Sequence, residues 1–335
     1  MTVADTIKNI GWLRQPTLDT DPIVASGTTI YKLGKLDRSY DFPKSVGKMK
    51  TTFSSGKIPL KVRRFRTALF WGVGFIATNG IWIFMAMGAS ANTDLTGGLF
   101  KHIITRGATL PMLTTRMDSR SGSAAIPKHY LDNKVTGLTI QFDDSQGTGM
   151  LVFIVQTIGT KQAAPGFGET ENVPVNINDT VHYRRDTNMV FNYDQGGTPV
   201  SFLPEFKSIS IFIDTITKED KDNTSIPILS VIDGNSEFGI QISLKRTDST
   251  DFFDDYSDDI EAGTDVAAVD WRFKIYKNAT EYILLDMTDV EIKEITINDA
   301  QSDSEEDTYE IVGIVTGLAP ELVDTLNAAV FFGVA

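Results

Sequence analysis

The back half of this chain is a succession of strand-length apolar runs broken by polar turns, and that spacing confines it to an antiparallel β architecture. KSISIFIDTI (207–216), EFGIQISLKR (237–246), DWRFKIYKN (270–278), TEYILLDM (280–287), VEIKEITI (290–297) and TYEIVGIVTG (308–317) are mostly rich in Ile, Val, Phe or Tyr, with Asp, Ser, Gly and Asn between them. Such residues fit a pleated, half-buried surface, and short strands repeated between polar turns build sandwiches or barrels. VTGLTIQF (135–142) sets Leu138, Ile140 and Phe142 against Thr139 and Gln141, the alternation of a strand with one wet face. MLVFIVQTIG (150–159) is apolar on both faces and predicts a central strand covered on both sides. Both 137–160 and 208–232 run alternating strand, polar turn, apolar strand, an echo that allows two tandem β units.

Helical signals are few. Residues 62–77 are one candidate, and 320–330, where Pro320 opens a helix-competent run, are another. LFWGVGFIATNGIWIFMAMGA (69–89) is long enough to span a bilayer. Asn79-Gly80 at its centre, between two apolar arms, is instead a hairpin signal, and Thr78 and Asn79 are costly in lipid. A buried helix or hairpin is expected there, with no membrane partner. The first 67 residues are punctuated by Pro16, Pro22, Gly27, Gly34, Pro43, Gly47, Gly56 and Pro59, which predicts an arm and long loops. The expected division is an arm over 1–67, a first β unit over 68–168 with the apolar helix or hairpin, and a second over 169–335 with acidic loops. MTVADTIKNIGWLRQ has neither a basic nor an apolar leader region, so no secretory signal is expected.

Charge is divided along the chain. Residues 1–130 carry 18 Lys/Arg against 7 Asp/Glu, and residues 131–335 carry 13 against 37, so a front of +11 faces a back of −24. Scattered charges would serve solubility equally well. Opposed surfaces on one molecule suit head-to-tail self-association, which closes into rings or runs on as filaments. At 335 residues and 41% hydrophobic content the chain can bury a full core.

Signals of catalysis are weak. There is no cysteine, and His102, His129 and His182 occur without HExxH or any close pairing, so no cofactor, metal centre or enzymatic activity is expected. GVGFIATNG (72–80) lacks the spacing and Lys-Ser/Thr ending of a phosphate loop. The acidic run DFFDDYSDDIEAGTD (251–265) offers carboxylates for calcium, but not at EF-hand spacing, and a solvated or partner-facing loop is the simpler expectation. The basic run 44–66 has sparse aromatics and no nucleic-acid reader motif around it.

The order of segments resembles the tail tube proteins of long-tailed bacteriophages and archaeal tailed viruses. The resemblance rests on SSGKIPLKVRRFRTALFWGVG, on LFKHIITRGATLPMLTTRMDSRSG, on the hairpin VTGLTIQFDDSQGTGMLVFIVQTIGT, and on FLPEFKSISIFID followed by the paired strands of 270–297. The acidic-x-x-Tyr-Gly motif near the family's N-terminus is absent. The resemblance implies an antiparallel β-sandwich or barrel of the tail-tube type with one or two short helices, polymerising into stacked sixfold or pseudo-sixfold rings. Its partners would be further copies of itself, a terminator, a baseplate or tip and a tape measure, in a virion tail assembled in the host cytoplasm, with viral DNA passing through the lumen unbound. Strand alternation then directs Thr139, Gln141, Asp214, Gln241 and Ser243 toward the lumen. Rings would meet through Lys61, Arg63, Arg64 and Arg66 against Asp254, Asp255, Asp258 and Asp259, with Trp71, Phe75, Trp82 and Phe84 as candidate apolar contacts. The alternative is a monomeric secreted or surface β-sandwich binding module, calcium-dependent through 251–265. A different shell or tail component, and a protein anchored through 69–89, are further readings.

Overall fold

Alternation of buried and exposed side chains runs through strand after strand, and the result is a mainly β, antiparallel fold. The computed structural model describes residues 6–23, 28–36, 41–45, 48–53, 59–65, 69–121, 124–144, 149–163, 174–175, 177, 182–185, 188–194, 198–220, 230–263, 269–299 and 306–327. In chain order the strands are β1 (Thr6–Gln15), β2 (Lys35–Leu36), β3 (Asp41–Ser45), β4 (Lys48–Phe53), β5 (Pro59–Phe65), β6 (Leu69–Ile76), β7 (Gly88–Asp94), β8 (Phe100–Arg106), β9 (Met112–Ser121) and β10 (Ala124–Asp143). They continue with β11 (Met150–Gly159), β12 (Lys161–Ala163), β13 (Met189–Asp194), β14 (Val200–Ser201), β15 (Phe206–Asp220), β16 (Ser230–Lys245), β17 (Val269–Tyr276), β18 (Tyr282–Asn298) and β19 (Thr308–Asp324). Helix α1 (Ile81–Met87) follows β6, and α2 (Phe252–Glu261) follows β16.

The main sheet runs β6–β11–β10–β15–β16–β19–β18–β17–β13, with β2 and β3 beyond β6 at one edge and β14 beyond β13 at the other. Among the described residues no ladder joins these two edges, so the sheet is open. Two strands serve two neighbourhoods each. β10 pairs β11 and β15 through its second half and β9 and β12 through its first; β19 pairs β16 over 308–315 and β8 over 321–324. β10 changes direction at a register shift between Tyr130 and Asn133, where Asp132 adopts φ 55°. The carboxylate of Asp132, 2% exposed, accepts from Gln15 Nε2, the Asp19 N–H and the Thr160 hydroxyl, which holds the bend.

The sheet's apolar face encloses α1. All seven residues, IWIFMAM, are buried, as a helix apolar all round must be. Trp82 donates to the Leu33 carbonyl at 3.0 Å and meets the rings of Trp12 and Phe75. Gly88 ends the helix at φ 98°, and a Cβ there would sit 2.6 Å from the Thr109 carbonyl oxygen. The Asn79-Gly80 pair therefore turns a strand into a helix instead of joining two strands, with Asn79 Oδ1 accepting from the Ile81 N–H at 3.2 Å. No helix among the described residues is long and apolar enough to cross a membrane.

Strand occupies the described parts of 62–76 and the first five residues of 320–330, where helices are expected. Over 62–77, Trp71, Val73 and Phe75 point into the core while Phe70, Gly72 and Gly74 occupy the alternate positions of β6, and two glycines with β-branched and aromatic neighbours outweigh the helical spacing. Pro320 lies within β19 where 316–320, flanked by the stretches that meet β16 and β8, pairs only with β18, so the sheet tolerates its missing N–H. The runs 280–287 and 290–297, expected as two strands, are the single strand β18, bent at Asp289 with φ 51°. The acidic loop expected at 251–265 contains α2. Strands on both sides of residue 168 pair directly, as β10 does with β15, and their buried side chains form one cluster.

Candidate functional site

Because side chains alternate along a strand, register alone determines which residues share a face. Away from the core, Gly74, Ile154, Thr139, Phe212, Gly239 and Ile314 form one cross-strand row, and Ile76, Val152, Gln141, Ser210, Gln241 and Val312 form the next. A third holds Met150, Asp143, Ser208, Ser243 and Glu310; a fourth holds Gly137, Asp214 and Glu237. All five residues expected to face a lumen thus stand on this outer face: Asp214 and Gln241 exposed, Thr139 and Gln141 half-buried, Ser243 buried.

This face carries its carboxylates in the two flanking rows and on β18, while its two central rows are uncharged. Asp143, Asp214, Glu237 and Glu310 lie in the rows, and β18 adds Glu291 and Glu294 opposite Ile314 and Val312. Four described cations around it are engaged, Lys134 with Asp233 at 2.9 Å, Lys207 and Lys245 with Glu306 at 3.0 and 2.7 Å, and Lys293 with Glu291, whereas Lys35, exposed on β2 opposite Ile76, is not among them. Asp214 and Glu237 are directly opposed. Burial, and then the Glu237 charge, hold the Asp214 carboxyl above its ordinary range. The face is not wholly polar, since Val312 is 38% and Ile314 46% exposed.

The residues expected to join rings separate into three situations. Lys61, Arg63 and Arg64 lie on β5, which among the described residues pairs only with β4 in a two-stranded ribbon; Arg66 lies outside the described residues. Asp254 is used within the chain, accepting from Arg246 at 2.7 Å and from the Tyr309 hydroxyl at 2.6 Å, which ties α2 to the end of β19. Asp258 and Asp259 are exposed, and the Asp255 side chain is outside the described set. Trp71, Phe75, Trp82 and Phe84, at 0–3% exposure, belong to the chain's own core, so they have no surface to offer a neighbour.

One feature has no counterpart in the sequence signals. At the β13 edge a recess of about 130 Å³ is lined by Asp194, Asp270, Arg272 and Asp286, with Tyr193 and Trp271 in its wall. Arg272 donates to Asp286 through Nε at 3.2 Å and Nη2 at 3.0 Å. That bond raises the guanidinium above its ordinary value against the opposing cost of burial, with the charges of Asp194 and Asp270 adding to it. Asp194 and Asp270 are directly opposed across the ladder. These carboxylates are far apart in sequence, and only the β13–β17–β18 register brings them together. Among the described residues no group of three or more His, Asp or Glu is arranged to hold a metal ion. No family model and no curated protein matches this chain.

Proposed function

We propose that this chain is a structural subunit of a hollow polymer of the tail-tube kind, with the outer face of the main sheet lining the channel. The observation that carries the reading is the electrostatic character of that face: the only charged residues in its four rows are carboxylates, the rest being amides, hydroxyls and apolar side chains, and of the described cations around it Lys134, Lys207, Lys245 and Lys293 are ion-paired, leaving Lys35 at the β2 edge. Phosphate binding is driven by cationic side chains displacing counterions, so a surface of this composition gives passing DNA little to hold. Exposed Val312 and Ile314 bring no charge to the wall.

Two further properties support a polymer. The charge asymmetry gives each copy a basic part and an acidic part, and the β4–β5 ribbon pairs with no other described strand. The tail-tube type of sandwich, ring stacking through the basic front and acidic back, placement in a virion tail, and contacts with a terminator, baseplate or tip and tape measure all belong to this proposal. Negative-stain microscopy of the purified chain at micromolar concentration tests it. Hollow filaments or rings of uniform width are expected. Monodisperse small particles whose melting temperature rises with calcium would overturn it in favour of the calcium-dependent binding module.

A further inference from the structure

The second row of the outer face does not stop at Ile76 and Val312. Lys35 on β2 is opposite Ile76, and Glu294 on β18 is opposite Val312, so one row runs from Lys35 to Glu294 through the six uncharged residues already placed in it. A cation stands at one end and a carboxylate at the other. Both are exposed, and neither forms an ion pair among the described residues. Glu294 accepts from the Thr296 hydroxyl at 3.3 Å, and Lys293 beside it is taken by Glu291, so Glu294 is the carboxylate left over.

Both ends of the row are strand edges. Among the described residues β2 pairs with β6 and with no other strand. β17 accompanies β18 only as far as Val290, which leaves Glu291–Asn298 pairing with β19 alone. The edge that this row reaches is therefore β18 itself, beyond the end of β17. Open edges are where a second chain adds to a sheet unless their charges forbid it. Here the charges choose the arrangement. A two-fold contact would bring each edge against its own copy, Lys35 near Lys35 or Glu294 near Glu294, and like charges opposed across strands repel. A head-to-tail contact brings Lys35 to Glu294 and creates no like pair.

We propose that the β2 edge of one copy meets the β18 edge of the next, with Lys35 paired to Glu294, so that this row continues from copy to copy. The contact is heterologous and runs laterally within a ring. It supplies from a neighbour the carboxylate that Lys35 lacks among the described residues of its own chain, and it removes that cation from the face. The inference rests on the polymer reading above.

Charge reversal followed by mixing tests the contact. Lys35→Glu and Glu294→Lys, each alone, oppose like charges at every contact and should weaken association by about threefold to tenfold per contact, read by velocity sedimentation. Melting temperatures should not change, because both side chains are exposed. In an equimolar mixture of the two variants, alternating copies place opposite charges at every contact, so assembly should return to the wild-type level. A single chain carrying both substitutions should assemble equally well. Wild-type polymers together with single variants that assemble undiminished, or that mixing fails to rescue, would overturn the Lys35–Glu294 contact and leave the polymer reading standing. A wild type that never assembles would overturn both. Should either variant fold poorly, zero-length carbodiimide coupling of assembled wild-type protein, made from unlabelled and isotope-labelled chains, examines the same pair. A mixed-label peptide joining Lys35 to Glu294 is expected, and its absence from assembled protein would overturn the contact.

Discussion

Asp214→Asn should make the protein more stable at neutral pH. Asp214 on β15 and Glu237 on β16 are directly opposed on the outer face. Opposed side chains put their carboxylates about 5 Å apart, where repulsion is about 0.8 kcal/mol in a water-like dielectric. Salt at 0.15 M, with a Debye length of about 8 Å, roughly halves that. Partial burial of the Asp214 charge acts in the same direction. The expected gain is about 0.5–1 kcal/mol, or about 1–2 °C in melting temperature for a chain of this size. The folded Asp214 carboxyl titrates above its unfolded value, so the folded state binds the proton more readily, and the wild-type deficit is present above that folded value. It fades as the pH falls to about 4 and below, where both states are protonated. Scanning calorimetry of wild type, Asp214→Asn, Glu237→Gln and the double variant at pH 7 and pH 3.5 closes a double-mutant cycle. A destabilised Asp214→Asn at pH 7, or a gain that persists undiminished at pH 3.5, would refute the argument that this face keeps its negative charge at a cost.

Trp82→Ala should destabilise by about 3–5 kcal/mol, since it empties the space between Trp12 and Phe75 and frees the Leu33 carbonyl; urea unfolding reads it. Gly88→Ala combines a left-handed backbone with a Cβ 2.6 Å from the Thr109 oxygen and should cost about 1–3 kcal/mol by the same measurement. Tyr309→Phe removes the hydroxyl that donates to Asp254 and should cost about 1–2 kcal/mol, with faster hydrogen exchange confined to α2 and its surroundings.

The strands were the legible part of this fold, because period-two alternation survives wherever one face is buried. Leu138, Ile140 and Phe142 are in the core and Thr139 and Gln141 are on the outer face, as their spacing predicts, and the expected 150–159 strand coincides with β11. Helices were misplaced because the signals compete locally. Pro320 opens helices as readily as it interrupts one side of a sheet, and only the gap between β16 and β8 decides the matter. The acidic run read as a loop because its carboxylates dominate its composition. The i, i+3 spacing of Phe253 and Tyr256, both buried, was the signal for α2, and Phe253 lies over Trp271 with ring centroids 6.3 Å apart. The β13-edge recess was illegible, since Asp194, Asp270 and Asp286 meet only through long-range register.

The arrangement of charge now has a structural logic that the bare totals lack. Most of the front's excess of +11 falls in residues 41–66, whose strands β4 and β5 pair only with each other among the described residues, whereas the acidic back supplies the carboxylates of the outer face and of the β13 edge. Cations concentrated in that stretch can serve a contact with a neighbouring copy, while the carboxylates of the face repel phosphate. Those two tasks respond differently to salt. Screening weakens contacts between exposed charges and also shortens the range at which the acidic face repels phosphate, so raising salt should shift the chain toward smaller assemblies with no DNA binding at any salt. Velocity sedimentation across 50–500 mM NaCl, with and without a short DNA duplex, measures both at once. DNA binding that is strongest at low salt would mean that the arm's cations face the nucleic acid and not the next subunit.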